Sequence, residues 1–249
     1  MTVLIREDDN GVVNLTLNRP EHFNTLSEAL IEALQRELDD VAKDDQVRCV
    51  IIAGKGRGFC AGQDLKEMRA NPDKNYYQTL FSRSAKLMQS IIALPVPVIA
   101  KVHGIATAAG CQLVASCDLV IAASSARFAV SGIKLGLFCS TPAVALSRSI
   151  APKRAFDMLV TGDFIDAETA CDWGLVSQVV KPEILDQAVA LKVEKILEKS
   201  PEAIRYGKAM FHPQSQMNLS EAYMYAGEVM ADNMMCQSAI DQIDNFINK

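Results

Sequence analysis

The sequence predicts an α/β protein with a largely parallel sheet, and three observations carry that expectation. Continuous apolar runs rich in β-branched residues alternate with stretches at helical spacing through the first half of the chain. Two turns rich in glycine and alanine each follow such a run and open a helical stretch. From about residue 141 the pattern becomes almost wholly helical. The 249 residues, 49% hydrophobic and 22% charged, suit one large α/β unit, or one domain with a helical appendage, and exclude disordered and fibrous classes.

The elements follow in order. Residues 3–6 and 12–17 flank DDNG, a hairpin signal. Thr25 and Glu28 form a T-x-x-E capping pattern ahead of Leu30, Ile31, Leu34, Leu38 and Val41 at helical spacing. Residues 48–53 (RCVIIA) read as a buried strand. GKGRGFCAGQD follows, with Gly54, Gly56, Gly58 and Gly62. A long helix is expected over 76–94, stopped by Pro95 and Pro97. Next come a strand in VIAKVHG, a helix of small residues in TAAGCQLVASC and a strand in DLVIAAS. Beyond residue 141 only 176–180 reads as strand, while 181–199, 201–211, 219–231 and 236–247 have helical spacing. With no flexible linker and no repeat, the expected organisation is a core over 1–190 and a helical region over 191–249.

Composition narrows the chemistry. A net charge of -5 with no basic run argues against nucleic acid as a partner. The three histidines, His22, His103 and His212, form no ligand pair, so no metal site is expected. Seven cysteines without a CxxC pair read as reduced, mostly buried thiols. The start MTVLIREDDNGVV does not resemble a signal or transit peptide, and no apolar run reaches the ~20 residues of a membrane span. The expected location is the cytoplasm, or an organelle such as the mitochondrial matrix after processing.

The two small-residue turns are FCAGQDLKEM (59–68) and HGIATAAGCQL (103–113). A helix N-terminus offers unpaired backbone N–H groups, and two such ends converging above a sheet make an oxyanion hole. Either turn alone is equally a device for close helix–strand packing. Neither is a phosphate-binding fingerprint.

Over residues 6–180 the chain resembles the crotonase superfamily, the enoyl-CoA hydratase/isomerase group. The resemblance rests on LNRPEHFNTLS, VIIAGKGRGFCAGQDLKEM, PVIAKVHGIATAAGCQLVASCDLVIAA, RFAVSGIKLGL and MLVTGDFIDAETACDWGLVSQVV. The stretches ATAAGCQL and GLFCSTP point to one particular group within it. It implies a crotonase-like ββα spiral core and an α-helical C-terminal trimerisation region, giving a homotrimer or a hexamer built as a dimer of trimers. It also implies an acyl-CoA or enoyl-CoA substrate, with coenzyme A entering as part of the substrate and no separate cofactor.

The resemblance assigns the oxyanion amides to Gln63 and Ala109, with Gly110 following. It assigns the coenzyme A channel to His22, Phe23, Leu26, Ala61, Gln63, Leu65 and Lys66, and lets Phe246 reach a neighbour's site. Tyr76 and Tyr77 are placed near the acyl pocket, Asp118 in a structural turn and Asp64 at a helix start. The family's two catalytic glutamates fall on Gln112 and Gly132, neither of which exchanges a proton at neutral pH. Each missing acid or base forfeits ~10²–10⁴ in rate, so two-glutamate hydration is not expected. Ser140 stands where related isomerases place an aspartate, and with Cys139 it is a candidate nucleophile. Three readings stay open: an acyl-CoA enzyme of atypical chemistry, a catalytically silent acyl-CoA-binding protein, and a thioester hydrolase using Ser140 or Cys139.

Overall fold

A computed structural model describes residues 2–248. Strands β1 (Leu4–Asp9) and β2 (Val12–Leu17) form the antiparallel hairpin, turning through Asn10 at φ 47° and Gly11 at φ 82°. β1 runs to Asp9, beyond the expected stop at residue 6, because it is an edge strand whose acidic side chains face solvent. Helix α1 (Glu28–Val41) buries Leu30, Ile31, Leu34, Leu38 and Val41 as the spacing requires.

Its cap differs from the T-x-x-E expectation. Ser27 Oγ accepts from Leu30 N at 3.2 Å, whereas Thr25 gives its carbonyl and hydroxyl oxygens to Arg19.

Strand β3 (Cys49–Gly54) pairs parallel with β2, and the short helix α2 (Leu65–Ala70) and the long α3 (Lys74–Ala93) lead to β4 (Val98–Val102). The stretch expected as one helix from residue 107 divides. Its start belongs to strand β5 (Ile105–Thr107), and helix α4 (Ala109–Ser116) begins only after a turn at Ala108. Strands β6 (Leu119–Ala123) and β7 (Arg127–Ala129) follow, then helices α5 (Ser140–Ser149) and α6 (Pro152–Thr161). Strand β8 (Ile165–Asp166), helix α7 (Ala167–Asp172) and strand β9 (Gln178–Val180) complete the two sheets. One sheet has the order β1-β2-β3-β4-β6-β9, parallel except for the hairpin; the other has the order β5-β7-β8.

The large sheet is covered on both faces, which explains its continuous apolar runs. Val50, Ile52, Val98 and Ala100 join the main core with α1 and α3. Cys49, Ile51, Ile99 and Ile121 meet Leu185, Ala188, Val189 and Val193 of α8 (Leu185–Leu197) on the other face. Residue 190 lies inside α8, so the sheet-packed part of the chain continues to Leu197.

Helices α9 (Pro201–Gln214), α10 (Leu219–Met234) and α11 (Gln237–Ile247) bury no residue fully, and Phe211, Tyr223, Met235 and Phe246 stand exposed. α9 is tied to the core by Lys208, whose ammonium donates to Ile91 O, Val96 O and Asp118 Oδ2. Asp118 also accepts from Val98 N and contacts His212, so it holds β4 and α9 together.

Candidate active site: two backbone amides at an uncharged cavity

The first turn leaves β3 and is fixed by its own backbone. Phe59 and Cys60 donate to Ile105 O, and Thr107 donates back to Cys60 O at 3.0 Å. Leu26 N donates to Gly62 O at 2.7 Å, and Leu26 O accepts from Asp64 N at 3.2 Å. Between those two bonds the N–H of Gln63 has no partner among the described residues.

Asp64 then caps α2, accepting from Lys66 N and from Arg19 Nη2 at 2.9 Å. Burial works to raise this carboxyl. The Arg19 hydrogen bond and charge, with the N–H groups of Glu67 and Lys66, outweigh it and hold the group below the usual range. Asp64 is a fixed anion of the frame, at the start of its helix.

The second turn ends β5. Ala108 adopts φ 51°, ψ -121°, a conformation that side chains disfavour by ~1–3 kcal/mol. Its strain sets the direction of the N–H of Ala109, the first helical residue of α4. That amide has no intrahelical acceptor; the first α4-type bond runs from Gln112 N to Ala108 O.

The two turns touch. A Cβ built on Gly62 would lie 2.9 Å from Ala108 Cβ and 3.3 Å from Ala109 N. One built on Gly110 would lie 2.1 Å from Cys60 O, so glycine at 110 permits the backbone contact and presents no side chain to a ligand. Two unpaired amides from separate elements are thus brought together in a shape suited to one oxyanion.

They open on a cavity of about 310 Å³. Ala61, Gln63, Ala108 and Ala109 form its amide wall; Leu65, Met68 and Phe81 line one flank, and Leu137 and Phe138 belong to the facing loop. No lining side chain is ionised at neutral pH, and the polar ones are Gln63, Ser131, Ser140, Thr141 and the Cys139 thiol.

The two positions at which the resemblance expects glutamates fare differently. Gln112 is buried in α4, with its Oε1 unpartnered. At Gly132 a Cβ would meet Cys139 Sγ at 2.6 Å and Leu137 O at 2.8 Å, so the loop itself fills the room a glutamate would need.

The candidate nucleophiles lack a base. Burial pushes the Cys139 thiol up, against the lowering effect of the Gly132 N–H. Ser140 begins α5, and its hydroxyl donates to Phe138 O at 3.4 Å. All three histidines are engaged elsewhere: His22 beside Glu21, His103 on Gly56 O and His212 on Asp118.

The two tyrosines are also committed, Tyr76 donating to Glu28 Oε1 at 2.9 Å and Tyr77 to Met68 O. Of the expected channel residues, Ala61, Gln63 and Leu65 line the cavity, while His22 and Lys66 lie outside its lining. Phe23 is partly exposed, with the Arg57 guanidinium 5.4 Å from its ring centre. Leu26 is in the core, where its backbone holds the first turn. Phe246 lies exposed on α11.

The sequence reading missed Arg57, the Thr107–Ser131 hydroxyl pair at 2.9 Å and the bond from Gln63 Nε2 to Ser84 Oγ at 2.7 Å. Arg57 had a visible signal, a second cation two residues after Lys55 in the glycine-rich GKGRG stretch. The other two features join distant positions and carry no local signal.

The sequence matches the enoyl-CoA hydratase/isomerase family over residues 7–247. It is 42% identical to the mitochondrial enoyl-CoA hydratase domain-containing protein 3 of Xenopus laevis, across all of this chain and 84% of that one. Its fold superposes on an enoyl-CoA hydratase of Mycobacterium smegmatis with a TM-score of 0.98, at 53% identity over 99% of this chain and 96% of that one. Human enoyl-CoA hydratase domain-containing protein 3 gives a TM-score of 0.96 at 38% identity, over 99% and 97% of the two chains. The fold is therefore the crotonase fold, and the chain belongs to the enoyl-CoA hydratase/isomerase family.

Proposed function

We propose that this protein binds an acyl-CoA or enoyl-CoA thioester, polarises its carbonyl with the N–H groups of Gln63 and Ala109, and does chemistry other than two-glutamate hydration. The observation that carries the reading is the meeting of two unpaired amides at a cavity with no ionised lining group. An enolate oxygen held at ~2.7–3.1 Å from both donors would be stabilised without any side-chain acid. Ala61 and Leu65 would flank the thioester arm, with Phe23, Arg57, His22 and Lys66 on the outer approach for the nucleotide end.

The test is hydration of crotonyl-CoA by the purified protein. Little or no hydration is expected, and brisk hydration that survives Gln112→Ala would overturn the claim that the acid/base pair is missing. A catalytically silent acyl-CoA-binding role is favoured by one specific observation, the Cys139 sulfur occupying the room for a side chain at 132. Turnover of any acyl-CoA that Ala109→Trp abolishes without unfolding the protein would exclude it. Hydrolysis through Ser140 or Cys139 has the least support, since neither has a base beside it.

We also propose a trimer or hexamer, supported by the apolar side chains that α9–α11 leave exposed. The seven free cysteines support a reducing compartment, either cytoplasm or mitochondrial matrix. No helix of the described residues is long and apolar enough to cross a membrane.

A further inference from the structure

The inward stripe of α3 consists of Leu80, Ser84, Leu87, Met88 and Ile91, and Ser84 is its only polar member, 1% exposed. A hydroxyl in that setting is costly unless it is paired. Its side-chain partner is Gln63 Nε2, at 2.7 Å.

The bond therefore joins the middle of a 20-residue helix to the residue whose N–H forms half of the oxyanion hole. That residue follows Gly62, whose φ of 99° is a conformation that residues with side chains rarely adopt. The other end of the Gln63 amide, Oε1, is buried with no partner, so among the described residues Ser84 is the one side chain that pins it. The link survives either orientation of the amide, because a hydroxyl both donates and accepts.

We propose that Ser84 is a positioning residue: through the Gln63 side chain it fixes the angle at which the Gln63 N–H meets a thioester carbonyl. This rests on the oxyanion reading above. Removing the hydroxyl leaves both ends of the glutamine amide unpaired in apolar surroundings, and the side chain then gains by turning toward the open cavity. The bonds of Leu26 to Gly62 O and Asp64 N keep the flanking peptides in place, so the displaced side chain changes only the tilt of the Gln63 N–H between them. The Ala109 amide has no such tether and stays in place.

The experiment uses 2,4-hexadienoyl-CoA, a conjugated thioester whose near-ultraviolet absorbance moves to longer wavelength as its carbonyl is polarised. Binding and the spectral shift are measured for the full chain, Ser84→Ala, Gln63→Met and the double variant, with thermal melts to confirm folding. The wild type is expected to bind with a clear shift. Each single variant should lose most of that shift while its affinity for the thioester changes less than tenfold. The double variant should lose no more than Gln63→Met alone, because the two residues act as one device.

A full shift in Ser84→Ala, or losses that add in the double variant, would overturn the proposal. If Ser84→Ala does not fold, Gln63→Met decides: it keeps the backbone amide, so an undiminished shift overturns the proposal and a diminished one supports it. A wild type that binds without any shift, or does not bind, would instead refute the oxyanion reading itself.

Discussion

The amide wall of the cavity and the loop opposite it are built in contrasting ways. Residues 59–64 and 104–112 are locked by backbone bonds, by glycines that allow direct backbone contact and by the part-buried Arg19–Asp64 pair. The loop over residues 131–141 has the Thr107–Ser131 hydroxyl pair and a short 3-10 turn, and it holds Leu135, Leu137 and Phe138 partly in solvent. On the proposed function, the contrast separates two tasks. Polarising a carbonyl needs donors fixed to within tenths of an ångström, so the first wall tolerates little change. Choosing an acyl group needs only a surface of suitable shape and charge, so the second can vary.

The sharpest break of that contrast compares two glycines. At Gly110 a Cβ would fall 2.1 Å from Cys60 O, whereas at Gly136 nothing lies within 4 Å and only φ 76° opposes a side chain. Gly110→Ala should lose more than ~3 kcal/mol of stability or fail to fold, since the overlap is with backbone. Gly136→Ala should cost only ~1–2 kcal/mol. Denaturant unfolding of both variants checks the difference, and equal losses would mean that the amide wall is no more rigid than the loop.

Next in size is the ion pair beneath the first turn. Arg19→Ala leaves Asp64, 11% exposed in its side chain, without its cation, and should cost about 3 kcal/mol at neutral pH. The sign of the pH dependence follows from the lowered carboxyl. A group depressed in the folded state contributes stability above its unfolded value of ~3.9 and loses it as pH falls through the folded one. The gap between wild type and Arg19→Ala should be complete at pH 7 and close below roughly pH 4. A gap independent of pH would assign the loss to packing of the arginine stem.

These two cases also show what a linear sequence can and cannot convey. Strands β3, β4 and β6 were legible because each is an unbroken apolar run, and the amide wall because small residues cluster where backbone must approach backbone. The second sheet was not, since strands of two or three residues have too short a period to detect. The spacing of Thr25 and Glu28 predicts a cap at Thr25; nothing local reveals that Arg19 and Asp64 claim it and leave the role to Ser27. The absence of glutamate at 112 and 132 was plain from the letters. That Cys139 fills the space at 132 was not, because it depends on the fold of the loop.

The facing loop should decide selectivity through its lack of charge. Hexanoyl-CoA and adipoyl-CoA have similar chains, but the second ends in a carboxylate that the cavity lining cannot pair. Calorimetric titration should find adipoyl-CoA bound about 30-fold more weakly, a difference of ~2 kcal/mol. Equal affinities would place the chain end outside this cavity.

The smallest expected effect turns that selectivity round. Leu137 lines the cavity and is about half exposed, so an arginine there can keep its guanidinium hydrated while reaching the mouth. Leu137→Arg should strengthen adipoyl-CoA binding by up to about fivefold, the ~1 kcal/mol available to a solvent-exposed ion pair, and added salt should remove the gain. Hexanoyl-CoA affinity should move little, and the polarisation of a bound dienoyl thioester not at all, because Gln63 and Ala109 belong to the other wall. A substitution at 137 that altered the spectral shift would show that the two walls are mechanically coupled, and the division between a fixed amide wall and a variable selecting loop would fall.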